Sequence, residues 1–352
     1  MATRPHTTQR PARRRPRTTR TGRALDGVGL AVRLTARDRW LIHALFDHEV
    51  LTTAQIALAA NTGLRSTQRT LRRLYDLGVV DSFRPYLEVG SAPEHYTLGT
   101  FGAVVLAAER AVDLKDSGWR ADRSARIAHS PWLGHTLGRN DLMIRLAATH
   151  HTDPTRRLTL WACERICATL WGDHVHPDAY AHYCHRSHQP GHAAREGGRS
   201  VAFFLEYDTG ATALARVDAK LAGYAGLAAT THPRTPTLVL IHTGTPRREA
   251  AVRARLQPTA ARLDIPVATT HHALTAGGSL ADAVWLPLTG TAARTALLEL
   301  PTHYRHLAPA PTPPGTWTPD PDAADSGALR WPPAPPLPPP RTRPPAERRG
   351  VT

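Results

Sequence analysis

"VAFFLEYDTG", residues 201–210, sets the architecture of the larger part of this chain. Val201 to Leu205 form an unbroken apolar run that Thr209-Gly210 ends, the pattern of a strand buried on both faces. Glu206 and Asp208 are two apart, so on a strand they point to the same face. Two carboxylates at the end of a buried strand make either one side of a metal site or a polar strand end neutralised by arginines.

The flanking segments extend this strand into a layered domain. "WLGHTLGRNDLMIRLAATH" (132–150) reads as a helix offering Leu137, Leu142, Ile144 and Leu146 to a core. "RLTLWACE" (157–164) and "DHVHPDAYAHY" (173–183) read as strands, the second followed by a His- and Gly-rich loop. After the 201–210 strand come a helix in "ARVDAKLAGYAGLAA" (215–229), a strand in "TLVLIHTG" (237–244) and a helix in "PRREAAVRARL" (246–256). "PVATTHHAL" supplies a last strand. The order is αβββαβα, an α/β core.

A different pattern precedes it. In "LTARDRWLIHALFDHEVLTTAQIALAANTGLRSTQRTLRRLYDLGVV" (34–80), Thr35 can cap a helix with Trp40, Ile42, Leu45 and Phe46 on its apolar side. Thr52 or Thr53 can cap a short helix carrying Ile56 and Ala57. After the turn "NTG" (61–63), a third helix places Leu64, Leu71, Leu74 and Leu77 inward and Arg65, Ser66, Gln68, Arg69, Arg72 and Arg73 outward. Short helix, turn and polar-faced helix make a helix-turn-helix, and such Arg/Ser/Gln positions are what phosphate contacts need. Two short strands, 79–84 and 94–98, around a Gly/Pro loop add a β-wing, and "GTFGAVVLAAERA" closes the unit. The same arginines on a merely solvated face would make this a protein-docking module instead.

Composition agrees with a polyanionic partner. The 352 residues carry 44 Lys+Arg against 29 Asp+Glu, a formal net charge of +15, which favours nucleic acid, double-stranded DNA first. Only Lys115 and Lys220 are lysines. Three cysteines, Cys163, Cys167 and Cys184, make no disulfide framework in so long a chain, which suits a reducing cytoplasm. No apolar run approaches a membrane span, and no membrane partner is expected. Eight arginines precede the first acid, Asp26, without an apolar stretch, so the start is a basic disordered arm and not a secretory signal. From about Leu307 onward the chain is rich in proline, as in "WPPAPPLPPPRTRPP" (331–345), and reads as an extended polyproline tail. The expected organisation is therefore a disordered arm (1–32), a winged helix-turn-helix (33–112), a linker (113–131), an α/β domain (132–300) and a disordered tail (301–352), α+β overall.

"HPDAY" places Asp178 on the strand before Glu206 and Asp208. Asp178, Glu206 and Asp208 on adjacent strands can converge on one Mg²⁺ or Mn²⁺, hard cations that activate water and stabilise phosphoryl transition states. Lys220, on the following helix, can reach the same place. Glu164 and Asp141 are further acids within range. This constellation resembles the PD-(D/E)xK nuclease superfamily in its αβββαβ order, "PD" at 177–178 and "E-x-D" at 206–208. The resemblance implies a restriction-endonuclease-like domain with Asp178, Glu206 and Asp208 as metal ligands and Lys220 as the catalytic lysine. The sequence departs from that pattern where the lysine belongs: Asp208 stands two residues after Glu206, and Gly210 two after Asp208.

Residues 33–260 resemble the actinobacterial replication-relaxation family more closely. The similarity lies in "LTARDRWLIHAL" (34–45), "RRLYDLGVV" (72–80), "HPDAY" (176–180), the "FFLEYDTG" strand and "KLAGY" (220–224). It implies work on plasmid or mobile-element DNA alongside replication or plasmid-maintenance proteins. Three functions follow: a DNA-binding protein of replication or DNA relaxation carrying a nuclease-like domain and needing no cofactor, an active Mg²⁺- or Mn²⁺-dependent endonuclease or nickase, or a scaffold or transcriptional regulator without catalysis. A zinc site from Cys163, Cys167, His174, His176, His182, Cys184, His185, His188 and His192 is a weaker reading, because no Cys-x-x-Cys pair occurs.

Overall fold

A computed structural model describes residues 33–85, 90–186, 198–231, 234–290, 293–304, 307 and 331–340. The basic arm, most of the His-rich loop with His188 and His192, and most of the proline-rich tail lie outside the described residues.

Helix α1 (Ala36–His48) begins where Thr35 accepts from the Asp38 N–H and Asp38 accepts from the Thr35 N–H, a reciprocal capping box. Trp40, Ile42, Leu45 and Phe46 are buried, as the periodicity requires. After the short strand β1 (Leu51–Thr52), Thr52 and Gln55 repeat the same box at the start of α2 (Thr53–Ala59). Helix α3 (Leu64–Asp76) buries Leu71 and Leu74, but Leu64 is 54% exposed against expectation. Leu64 opens the helix before its first turn reaches the core. Thr67 takes the inward position, bonded to Thr62 and to the Gly63 carbonyl. Strands β2 (Val80–Phe83) and β3 (His95–Leu98) pair antiparallel, and β1 joins the free side of β3 to give the order β1-β3-β2. Helix α4 (Thr100–Glu109) follows.

Residues 113–131, expected as a linker, are packed. Helix α5 (Arg123–Ala128) brings Ile127 against Val50 and Phe83. The Trp119 indole donates to the Leu98 carbonyl at 3.2 Å, and Arg123 to that of Phe46 at 2.7 Å.

Helix α6 (Leu133–Thr152) buries Leu142, Ile144 and Leu146, while Leu137 is half-buried. Strand β4 (Arg156–Cys163), helix α7 (Glu164–Trp171), strands β5 (Ala179–His185) and β6 (Arg199–Asp208), helix α8 (Leu214–Ala229), strand β7 (Leu238–Thr243), helix α9 (Pro246–Leu263), strand β8 (Val267–His271), the short α10 (His272–Thr275) and strand β9 (Leu286–Pro287) complete the order. The expected αβββαβα with its last strand thus gains α7, α10 and β9. The strand expected over 173–183 starts only at Ala179, since Pro177 has no N–H to give a ladder. The helix expected over 246–256 continues to Leu263.

The six strands lie in the order β4-β5-β6-β7-β8-β9. Strand β5 is antiparallel to both of its neighbours, β4 and β6; β6, β7 and β8 run parallel, and β9 is antiparallel to β8. Alternation along β6 splits the core. Val201, Phe203 and Leu205 pack with Leu45, Phe46, Leu142 and Leu240. Ala202 and Phe204 pack with Val217, Leu221, Val252 and Leu256. The first cluster includes residues of α1 to α4, so the N-terminal helices and one face of the sheet share a continuous core. His48 stacks on Trp161 at 3.5 Å between ring centres, and the Asn140 amide donates to the His48 and Val50 carbonyls. No helix among the described residues is long and apolar enough to cross a membrane.

The tail supplies the largest departure from expectation. Residues 331–340 lie along α1, with Ala334 only 3% exposed.

Candidate functional site

Strand β6 stops being apolar where its C-terminal end meets a cleft of about 670 Å³. The cleft lies at the mouth of the parallel part of the sheet, where α/β sheets present loops and helix ends to ligands. Glu206, Asp208, Asp178, Glu164, Lys220, Arg139, His135 and Arg216 contribute to its walls.

Glu206 and Asp208 do share a face, that of α8 and α9, but they meet different helices. Glu206 Oε2 accepts from Lys220 Nζ at 2.5 Å and Oε1 from the Tyr224 hydroxyl at 2.6 Å. Lys220 and Tyr224 are one helical turn apart on α8, the spacing that puts two side chains over the same spot. Lys220 also donates to the His176 carbonyl at 3.2 Å. Gly223 allows this approach: a Cβ there would lie 2.3 Å from the His174 carbonyl oxygen. Asp208 instead turns to α9. Arg248 grips it through Nε at 2.6 Å and Nη2 at 3.3 Å, and the Gly210 N–H donates to it at 2.8 Å. It is the polar strand end paired with arginine that the sequence offered as an alternative.

Asp178 lies just before β5 and faces the gap between the two helix layers. Its Oδ1 is 3.1 Å from His135 Nε2, and its Oδ2 accepts from the Tyr207 N–H at 2.7 Å. Helix α6 comes close enough for this because residue 138 is glycine; a Cβ there would sit 2.2 Å from the Tyr207 hydroxyl. The buried Arg139, one turn beyond His135, donates to Glu164 at 3.1 Å and to the Asp178 carbonyl at 3.3 Å.

Burial is the main force on Glu206. Reinforced by the nearby Asp178 charge, it pushes the carboxyl up to about 7, against the opposing pull of Lys220 and Tyr224. Burial also works against Asp178, but His135, Lys220 and the Tyr207 N–H outweigh it and hold that carboxyl below its ordinary value. For Lys220 burial favours the neutral amine, yet Glu206, Asp178 and Glu164 together raise its affinity for the proton. One acid is thus poised near neutrality beside one that stays ionised, with a cation between them.

The carboxylates do not fit a shared cation as they stand. Each oxygen of Asp178, Glu206 and Asp208 already faces a donor of the protein. Among the described residues, no group of three or more His, Cys, Asp or Glu is placed to hold a metal ion. Asp141 pairs with Arg145 at 2.8 Å. Cys163 and Cys167 are buried in the core, and His182 bonds the Tyr180 hydroxyl at 2.8 Å.

Helix α3 carries the second set of expected residues. Arg73 leaves the set by chelating Asp38 at 2.7 Å, and Arg72 pairs with Asp76 one turn on. Arg65, Gln68 and Arg69 stay exposed with no partner among the described residues, and Ser66 is half-exposed. A groove lined by Arg120, Arg123, Arg126 and Arg165 adjoins the cleft and shares Glu49, Ser130, Thr136 and Arg165 with it. Sequence reasoning missed His135, Arg139 and Tyr224. His135/Arg139 and Lys220/Tyr224 are both i,i+4 polar pairs on helices that otherwise face a core, and that was the available signal.

A family model described as replication-relaxation matches residues 42–241. That is more than half of the 352 residues, and the chain belongs to this family, which ties it to replication and DNA relaxation. The match spans α1 to β7, including α3, Asp178, Glu206 and Lys220, and ends before Arg248. No curated protein and no solved structure matches the chain.

Proposed function

We propose that this replication-relaxation family member is a DNA-binding protein that docks on the duplex through α3 as the recognition helix of a winged helix-turn-helix. The observation that carries the reading is the solvent face of α3: Arg65, Gln68 and Arg69 are exposed and unpartnered among the described residues. Gly63 caps the helix without a side-chain bond, which leaves N-terminal N–H groups for a phosphate. The arginine-lined groove beside the cleft supplies a second cationic surface for the backbone.

Anisotropy titrations of a labelled duplex over a range of salt test this. Arg65→Ala/Arg69→Ala should weaken binding to every sequence and flatten the salt slope by about 2, close to one unit for each lost phosphate contact. An unchanged affinity and slope would remove α3 from the interface and leave the scaffold reading.

A second reading, an endonuclease or nickase on a PD-(D/E)xK-like domain, is favoured by the meeting of Asp178, Glu206 and Lys220 in one cleft. Mg²⁺ or Mn²⁺ would need Glu206 and Asp178 to give up Lys220 and His135, while Asp208 is committed to Arg248. In this reading Lys220 and Glu206 handle the proton and Asp178 fixes their charge. Nicking of supercoiled plasmid by the wild type, lost in Asp178→Ala/Glu206→Ala, would establish it. Equal retardation of DNA without cutting would leave binding alone.

A further inference from the structure

We propose that the face of α1 bearing Arg37, Trp40 and Asp47 is a recognition site for left-handed polyproline helix, and that residues 331–340 of the same chain are its tethered ligand. The segment "WPPAPPLPPP" cannot form an α-helix or a central strand, because seven of its ten residues are proline. Polyproline II repeats every three residues. Trp331, Ala334 and Leu337 are spaced by three, the repeat of that helix, and all three meet the protein. Ala334 is buried, Leu337 packs on the main core, and the Arg110 guanidinium lies 4.7 Å over the Trp331 ring.

Three side chains of α1 read the backbone between these anchors. Arg37 Nε donates to the Pro339 carbonyl at 2.9 Å, and Trp40 Nε1 to the Pro335 carbonyl at 2.7 Å. Asp47 Oδ2 accepts from the Ala334 N–H at 2.8 Å. Positions 37, 40 and 47 follow one stripe of the helix, and the segment runs antiparallel to it. The stripe from position 37 to position 47 is about 15 Å long, and the segment covers it with a bend at Pro336 and Leu337. An indole donating to a proline carbonyl within an aromatic and arginine surround is how proline-rich ligands are held by proteins that bind them.

The Asp47 contact defines the ligand further. Proline at the central position would lack the N–H that Asp47 accepts, so the site selects Pro-Pro-Ala-Pro-Pro over uninterrupted polyproline. Asp47 Oδ1 also takes Arg165 at 2.9 Å, and both residues line the cleft. One carboxylate therefore joins ligand occupancy to the cleft mouth.

The test uses the full chain and a fluorescein-labelled peptide with the sequence of residues 330–341. In the wild type the tethered segment competes with the peptide, so Ala334→Pro in the chain, which removes the donor from the tether and leaves the site intact, should tighten peptide binding at least about tenfold. Trp40→Phe should weaken binding to the same chain by about tenfold, the loss of one buried hydrogen bond, with its melting curve showing that it is folded. The peptide with proline in place of Ala334 should bind poorly to all of them. In the wild type, excess unlabelled peptide should speed hydrogen exchange at the Ala334 amide. Equal peptide affinity for the wild type and Ala334→Pro, or exchange at Ala334 that the peptide leaves unchanged, would overturn the proposal. So would a dimer by light scattering that Ala334→Pro dissolves, since the ligand would then come from a second copy.

Discussion

Replacing Glu206 by Gln should remove a pH-dependent penalty from the fold. A carboxyl that titrates near 4.5 in an open chain and near 7 when buried in the folded protein binds more protons in the native state across that window. Native-state protons in excess mean that stability falls as pH rises, by about 3 kcal/mol in total across the two values. The variant keeps an amide oxygen for Lys220 and a polar partner for Tyr224 but cannot ionise. The unfolding free energy of Glu206→Gln minus that of the wild type should therefore climb by about 3 kcal/mol between pH 4.5 and pH 7.5. The difference is the quantity to measure. His48, His182 and His242 are held below their ordinary values by burial and impose a slope of the opposite sign on both proteins. Urea unfolding at half-unit pH steps and fixed ionic strength gives it directly. A flat difference would mean that the Lys220 ion pair at 2.5 Å dominates burial and that Glu206 is an ordinary carboxylate of a buried salt bridge.

Four other outcomes follow from the contacts. Arg248→Ala strands the buried Asp208 with the Gly210 N–H as its one other donor among the described residues, and should cost roughly 3–5 kcal/mol in urea unfolding. Arg72→Ala, which breaks an exposed i,i+4 pair, should cost at most about 0.5 kcal/mol. Gly138→Ala drives a methyl into the Tyr207 ring and should cost about 1–3 kcal/mol, with partial rescue by Tyr207→Phe, read from melting curves. A thiol reagent followed by mass spectrometry should label Cys184, which is half-buried, ahead of Cys163 and Cys167, which are buried with thiols pushed up by that burial.

Much of the fold was legible because its signals are local. Thr35, and Thr52 or Thr53, were legible as caps of α1 and α2, and Thr35 and Thr52 take those places, each in a capping box. The apolar run of β6 implied two covered faces, and two clusters cover it. What escaped was short or depended on distant chain. Helix α7 has eight residues between two strands, so Ile166 and Cys167 on one side do not separate helix from strand by period. Strand β9 has two residues and owes its place to β8. The tail has the composition of a solvated end, and nothing within it reveals that Trp40 and Asp47, some 290 residues earlier, offer what its carbonyls and its Ala334 amide need.

The site shows the same division in a narrower space. Strand parity correctly puts Glu206 and Asp208 on one face, but parity says nothing about which helix each will meet. Two residues of strand advance about 7 Å, enough to move from the territory of α8 to that of α9. There Asp208 meets Arg248, a fixed bidentate fork that leaves its carboxylate fully occupied. Glu206 stops short, under a lysine and a tyrosine that a change of protonation or a ligand could displace. The acidic pair is therefore two sites of different character. One carboxylate fixes α9 to the sheet, and the other keeps a titratable group at the floor of the cleft. The family match covers Asp178, Glu206, Asp208 and Lys220 alike and ends before Arg248. In the endonuclease reading proposed above, Glu206, Asp178 and Lys220 carry the chemistry, with Asp208 outside it.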